Sequence, residues 1–364
     1  VRRPTPPGTR VVVKVGSSSL VHEQGGVNGE ALRRVVDETV KLRTDGHPVA
    51  LVTSGAVAAG LPDLGLGGRP RDIPGLQVAA AVGQSRLMEH YATAFGEAGL
   101  VAAQVLLTKD VLADRGQYLN ARHALDRMMQ LGLVPVVNEN DTVVVDDLRL
   151  GDNDRLAAIV AQLLGAGLLV ILTDTAGLFS ADPRAGEGEL LSAVRHTDQI
   201  LDGLAGTGPL GSGGVASKVA AARMAAWSGI PTVVTAAETQ DILLSVVAGR
   251  EVGTWIEPHS DRLPARKLWI AFCQPSAGRL SIDSGAVTAL VDKGRSLLPI
   301  GVVGVEGRFQ AGEAVEVLGP DGGLVAKGLV RLDSVAMESA RGRRSDGGEA
   351  IHRDDLVVLA SGAR

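Results

Sequence analysis

The sequence predicts an α/β protein: an open three-layer αβα sandwich around a mainly parallel sheet, followed by a small C-terminal β-barrel-like domain. Three observations predict it. Short Val- and Leu-rich runs alternate with helix-length amphipathic segments through residue 257. Polar clusters fall where those runs end. After residue 275 the helical periodicity fades, and glycines cut the chain into short Val-rich segments.

Residues 11–15 and 49–53 are apolar runs, each followed by a Gly or Ser turn, with an amphipathic helix predicted over 29–42 between them. That is a βαβ unit. Helices over 76–95 and 119–131, a strand over 101–107, and strands starting at Val134, Leu168, Thr232 and Gly253 continue the alternation. Residues 142–150 alternate Val and Asp and read as a hairpin or flap. Residues 156–172 are apolar enough to suggest a membrane span, but Gly165-Ala166-Gly167 divides them into helix, turn and strand. The polar stretch 257–264, with two prolines, marks the boundary. The expected division is a tail 1–10, a large domain 11–258, a linker 259–275 and a small domain 276–364, with 341–348 as a solvated surface loop.

A chain of 364 residues suits one large and one small domain. Aromatics are only 2% and Gly numbers 47, so the core is expected to be Val, Leu and Ala with many tight turns. A net charge of -5 offers no broad positive footprint for nucleic acid or anionic membrane, which favours small ligands. The single Cys273 excludes an intramolecular disulfide and a thiolate metal cluster, and the seven histidines lack paired ligand spacing. Arg2, Arg3 and three prolines precede a strand that contains Lys14, which is no secretory signal; a soluble, cytoplasmic protein is expected.

Within seventeen residues the chain carries Asn138-Glu139-Asn140-Asp141 and Gly151-Asp152-Asn153-Asp154. The first cluster follows an apolar strand, where open α/β sheets place their ligands, and the second opens a helical run. Asp and Asn also cap helices, and either cluster alone would be read that way. Two on neighbouring elements exceed what capping uses. Lys14-Val15-Gly16-Ser17-Ser18-Ser19 adds an ammonium and small residues at a strand end, although a strand lysine by itself suggests an edge. Thr53-Ser54-Gly55-Ala56 repeats the arrangement, with a plain N-cap as the alternative. Gly211-Ser212-Gly213-Gly214-Val215-Ala216-Ser217-Lys218 suits an anion-binding nest. No strand immediately precedes it and the chain has no Gly-Lys dipeptide, so neither a dinucleotide fingerprint nor a Walker loop is present. Ile171-Leu172-Thr173-Asp174, with Ala181-Asp182-Pro183-Arg184, can border a nucleotide. Two lysines, two glycine-rich turns and several carboxylates suit phosphoryl transfer. No base for a hydroxyl acceptor is evident, whereas a carboxylate, with a pKa of roughly 4, needs none. An acyl phosphate is the expected product.

These motifs, with Ala81-Val82-Gly83-Gln84-Ser85-Arg86 and Leu119-Asn120-Ala121-Arg122, resemble in order the amino-acid kinase family, most closely its glutamate-phosphorylating members, over nearly the whole chain. The resemblance implies phosphate transfer from MgATP to the γ-carboxylate of L-glutamate, at the head of proline synthesis. Lys14 and Lys218 would flank the transferred group as catalytic residues, with Asp154 orienting both. Ser54, Asn138, Asn140, Asp141, Asp152 and Asn153 would bind substrate. Lys14, Gly16, Ser17, Thr173, Asp174, Ser212, Gly213, Gly214, Val215, Ala216, Ser217 and Lys218 would bind ATP. No protein metal site is implied, Mg2+ being carried mainly by the ATP phosphates. Proline inhibition, with residues 114–150 as the candidate segment, and assembly into dimers or tetramers are also implied. Val215, Ser217 and Phe179 depart from the frequent Met, Thr and Tyr. Residues 280–359 resemble a PUA domain, notably at Gly285-Ala286-Val287 and Ser296-Leu297-Leu298-Pro299-Ile300-Gly301. PUA domains elsewhere bind RNA, but twelve acidic against eleven basic residues from Ser276 onward argue for a structural or regulatory role here.

Overall fold

Five consecutive buried residues, Val11–Val15, form β1 near the middle of an eight-stranded sheet. The other strands are β2 (Val49–Val52), β3 (Ala102–Leu107), β4 (Val134–Glu139), β5 (Leu168–Thr173), β6 (Ala193–Arg195), β7 (Thr232–Ala236) and β8 (Thr254–Glu257), in the order β3-β4-β2-β1-β5-β7-β8-β6. Every neighbouring pair is parallel except β7 with β8. The computed structural model describes residues 2–108, 112–143, 153–181, 188–198, 200–204, 214–260, 262–343 and 348–359. The chain divides into two compact units, Val1–Arg262 and Leu263–Arg364.

The uninterrupted apolar runs suit strands covered on both faces. Side chains alternate along β1, so Val11, Val13 and Val15 share one core with Leu32, Val35 and Val36 of α1 (Gly29–Thr44). Lys14 points to the opposite face, where α5 (Asp154–Leu164) packs on β1. Asn28, Asp72 and Asp114 each accept a backbone N–H at the start of α1, α3 (Ile73–Glu97) and α4 (Arg115–Gln130). Each such cap contributes about 1 kcal/mol. Gly165, with φ 56°, closes α5, so the long apolar run divides into helix, turn and strand as its glycines predict. Among the described residues no helix is long and apolar enough to cross a membrane. The short helix α2 (Ala56–Gly60) starts where the Thr53-Ser54-Gly55-Ala56 motif places a helix, whereas β6, α6 (Ile200–Leu204) and α8 (Ile242–Val247) carry no readable period and escape sequence analysis.

The second unit holds a five-stranded sheet, β10-β9-β11-β12-β13, of β9 (Ser276–Ile282), β10 (Val302–Gly307), β11 (Ala314–Leu318), β12 (Leu324–Leu329) and β13 (Leu356–Val358). Leu280, Phe309, Val315, Val317 and Ile351 are among its buried core. Its helices correct the strand-only reading. Ser284–Val291 and Ser334–Ala340 are helical because Asp283 and Asp333 cap them, at 2.7 and 2.8 Å from the backbone nitrogens of Ala286 and Ala336. Ala265–Phe272, inside the stretch read as a linker, is a third helix. The ammonium of Lys327, on β12, donates to the carbonyls of Ala271 and Gln274 at the end of that helix. Buried lysine there answers carbonyls that the helix leaves unpaired.

Two glycines fix how α2 meets α3. A Cβ on Gly83 would stand 1.8 Å from the carbonyl oxygen of Ala56, and one on Gly60 would stand 2.1 Å from that of Ala79. Both obstacles are backbone, so neither helix yields cheaply. We predict that Gly83→Ala lowers the unfolding free energy by about 2–3 kcal/mol in urea titration. Gly96→Ala, on the same helix where no atom lies within 4 Å, should be neutral or stabilising.

Candidate active site

Lys14 is only 2% exposed although its strand is central, which overrules the edge-residue reading. Its Nζ lies 2.7 Å from Oδ1 of Asp154, a wholly buried carboxylate at the start of α5. Lys218 Nζ lies 3.4 Å from Oδ2 of the same group, and Ser217 Oγ donates to Oδ2 at 2.8 Å. Ser217 and Lys218 project from the beginning of α7 (Gly214–Trp227), which packs against α5. A carboxylate at a helix N-terminus is favoured by the helix dipole. Removing three ions from water costs several kcal/mol each, and the shared contact offsets part of that.

Beside this cluster lies a cavity of about 520 Å³, with Ser54, Asn138, Asp141 and Asn153 in its walls. Gly55, at φ 94°, takes the N-cap position of α2, so Ser54 is not the cap that its motif suggests. Its Oγ is buried without a partner, a hydroxyl ready for a ligand. Asn153 does occupy a cap position, yet its side chain makes no cap bond. Its Nδ2 donates instead to the Thr53 carbonyl at 2.6 Å and to Asn138 Oδ1 at 2.5 Å. Asn138 Nδ2 donates in turn to Gln84 Oε1 at 2.7 Å. Underneath, Thr53 Oγ1 and the Tyr91 hydroxyl are 3.1 Å apart, and burial pushes the phenol up to about 12. Tyr91 therefore stays protonated and supports the strand end.

The remaining predicted residues fall in three places. Ser17, expected against ATP, lines the same cavity as Ser54, while Asn140 is absent from its walls and pairs through its backbone with Leu107 and Val143. Gly16 follows β1 beside the end of β5, where Thr173 Oγ1 donates to Asp174 Oδ1 at 3.0 Å. Gly214, Val215 and Ala216 open α7. Asp152, Ser212 and Gly213, and most of the expected flap at 142–150, lie outside the described residues. Ser18, one of the hydroxyls of the Lys14–Ser19 motif, also lines the cavity, as do His22, Glu23 and Arg69, which were missed. For His22 and Glu23 a signal existed: the thirteen residues from Gly16 to Asn28 make a long first βα loop, where 2–6 residues are usual. Among the described residues no group of three His, Cys, Asp or Glu is placed to hold a metal.

An open parallel sheet that gathers lysines, helix N-termini and polar side chains at the carboxyl ends of β1, β2 and β4 defines an α/β enzyme built around an anionic ligand. The amino acid kinase family model matches residues 9–236, and the PUA domain model matches 278–352. Glutamate 5-kinase of Frankia casuarinae is 47% identical, with 96% of each chain covered. Glutamate 5-kinase of Geobacter metallireducens is 45% identical over 96% of this chain and 97% of its own, and that of Moorella thermoacetica 42% over 96% of each. The chain belongs to the amino acid kinase family, within its glutamate 5-kinase branch, and carries a PUA domain after the kinase fold.

Asp154→Asn keeps the shape of the side chain but removes the charge between two lysines. The expected loss is about 3–5 kcal/mol of folding free energy, seen as a lower urea midpoint with an unchanged slope.

Proposed function

We propose that this chain phosphorylates the γ-carboxylate of L-glutamate with ATP, giving L-glutamyl 5-phosphate for proline synthesis. One juxtaposition carries the reading: Asn153 lines the cavity, and the next residue, Asp154, holds Lys14 and Lys218. A carboxylate seated against the amides therefore has its reacting end beside two ammonium groups. An oxygen of that carboxylate attacks the γ-phosphorus of ATP, a new P–O bond forms, and the bond to the bridging oxygen breaks with its electron pair leaving on ADP. No proton has to be removed from the nucleophile. Lys14 and Lys218 stabilise negative charge on the moving phosphoryl group, and Asp154 positions both.

Ser54, Asn138, Asp141 and Asn153 hold glutamate, with Asn140 and Asp152 adjoining. Gly16, Ser17, Thr173, Asp174 and residues 212–218 hold ATP. Both oxygens of Asp154 are engaged by Lys14, Lys218 and Ser217, which disfavours that carboxylate as a metal ligand. Mg2+ then travels on the ATP phosphates and supplies further charge neutralisation there. The catalytic region is residues 11–258, with 276–364 in a structural or regulatory rather than RNA-binding role. Proline is proposed as a feedback inhibitor overlapping the glutamate cavity through 114–150, in a cytoplasmic homo-oligomer.

The test is MgATP turnover with L-glutamate, N-acetylglutamate, L-aspartate and carbamate, trapping acyl phosphate with hydroxylamine. Hydroxamate with L-glutamate alone is expected. Its formation from another acceptor would overturn the substrate, and none from any would overturn the reaction. Lys14→Ala and Lys218→Ala should each lower kcat by about 100-fold or more while KM for glutamate stays within about threefold. Unchanged turnover in either variant would remove that lysine from the chemistry.

A further inference from the structure

The glutamine of the Ala81-Val82-Gly83-Gln84-Ser85-Arg86 motif has no role in the reaction above. Gln84 lies in the middle of α3, 9% exposed, one residue after the Gly83 that meets the backbone of α2. Its main chain cannot shift without parting those helices. Its Oε1 accepts from Asn138 Nδ2, while its own Nε2 is buried with no partner. A buried amide left half satisfied is costly, so the arrangement calls for a reason.

The polarity of the amide chain is dictated by backbone atoms at two points. The N–H of Glu139 can only donate, so the Asn138 side-chain atom 3.0 Å away is its oxygen. The carbonyl of Thr53 can only accept, so the Asn153 atom 2.6 Å away is its nitrogen. Asn138 must then turn its nitrogen to Gln84, and Gln84 must answer with oxygen. Asn153 has two amide hydrogens, and Thr53 and Asn138 take both. Its Oδ1 has no partner among the described residues, and Asn153 lines the cavity. What Asn153 can offer a ligand is an acceptor.

We propose that Gln84 is a positioning residue: through Asn138 it holds Asn153 with its carbonyl oxygen available to the cavity, which selects there for a hydrogen-bond donor, the α-ammonium of an amino acid. The inference rests on the reading of the cavity as the glutamate site and deepens it by naming the residue that sets its preference. With Gln84 replaced by an apolar side chain, Asn138 Nδ2 is left buried without its acceptor, and the Asn138 side chain loses the anchor that keeps its Oδ1 against Asn153.

The test compares L-glutamate with glutarate, which has both carboxylates and no ammonium. Dissociation constants are measured calorimetrically on the full chain for the parent, Gln84→Met and Gln84→Glu, with hydroxamate formation and thermal unfolding recorded in parallel. Gln84→Met should reduce the preference for glutamate over glutarate about tenfold, by weakening glutamate while glutarate stays within about twofold. Gln84→Glu, which keeps an oxygen facing Asn138, should retain the preference to within about threefold. Equal weakening of both ligands in Gln84→Met, or no change in either, would overturn the positioning role and leave Gln84 as packing. A parent with no preference for glutamate would overturn it too. Normal preferences without hydroxamate would sink the proposed reaction and leave the positioning role intact.

Discussion

One carboxylate shared by two lysines sets the terms for the rest of the large unit. Asp154 is wholly buried and Lys14 nearly so, a placement that an ion tolerates only with partners already in position. That requirement reaches outward through the fold. Lys14 must lie on a central strand, on the face that α5 covers. The helix must begin at residue 154, and α7 must begin close enough for Ser217 and Lys218 to reach the same group. Arg or Glu in place of Lys14 or Asp154 would keep a charge but not the spacing, since a guanidinium is a broad fork where an ammonium is a point.

The amide chain beside this cluster is ordered by direction rather than charge. Gln84, Asn138 and Asn153 are neutral, so their interactions with a ligand depend on which atom faces it. Backbone groups at Thr53 and Glu139 remove that ambiguity. The glycines at 60 and 83 then set the distance, because α2 and α3 touch through backbone and any added methyl would move Gln84 relative to the strand ends. A charged cluster fixed by desolvation and an amide chain fixed by hydrogen-bond polarity meet at consecutive residues, Asn153 and Asp154.

Much of this was legible in the chain. The alternation of apolar runs and amphipathic helices gives the parallel sheet, and residues of both polar clusters, Asn138, Asp141 and Asn153, fall in the wall of the cavity at the strand ends. Single-residue readings fared unevenly. A strand lysine suggests an edge, and only the sheet order reveals that Lys14 is central. Asn153 occupies a cap position, so sequence rules could not tell its side chain from an ordinary cap, whereas its hydrogen bonds can. Gln84 lies 54 residues from its partner Asn138, and no local pattern links them. His22 and Glu23, in the first loop, and Arg69, between α2 and α3, are ordinary loop residues until those segments meet at the cavity. In the C-terminal unit the Val-rich segments mimic strands, and two aspartate caps convert seven- and eight-residue stretches into helices too short to show a period.

The chemistry proposed for the site follows from what its carboxylate is free to do. A kinase that acts on a hydroxyl needs a group to take the proton, and Asp154 would be the natural choice by position. Here both of its oxygens already have partners, Lys14 on one and Lys218 with Ser217 on the other. Taking a proton would discharge the group that holds two ammonium ions in a dry place, at the moment when those ions must face the phosphoryl oxygens. An acceptor that arrives ionised avoids the conflict. A carboxylate substrate lets Asp154 remain charged throughout, and its own negative charge is directed toward the two lysines. The buried carboxylate thus argues for the acceptor by being occupied: the arrangement best suited to holding two lysines is poorly suited to general-base catalysis.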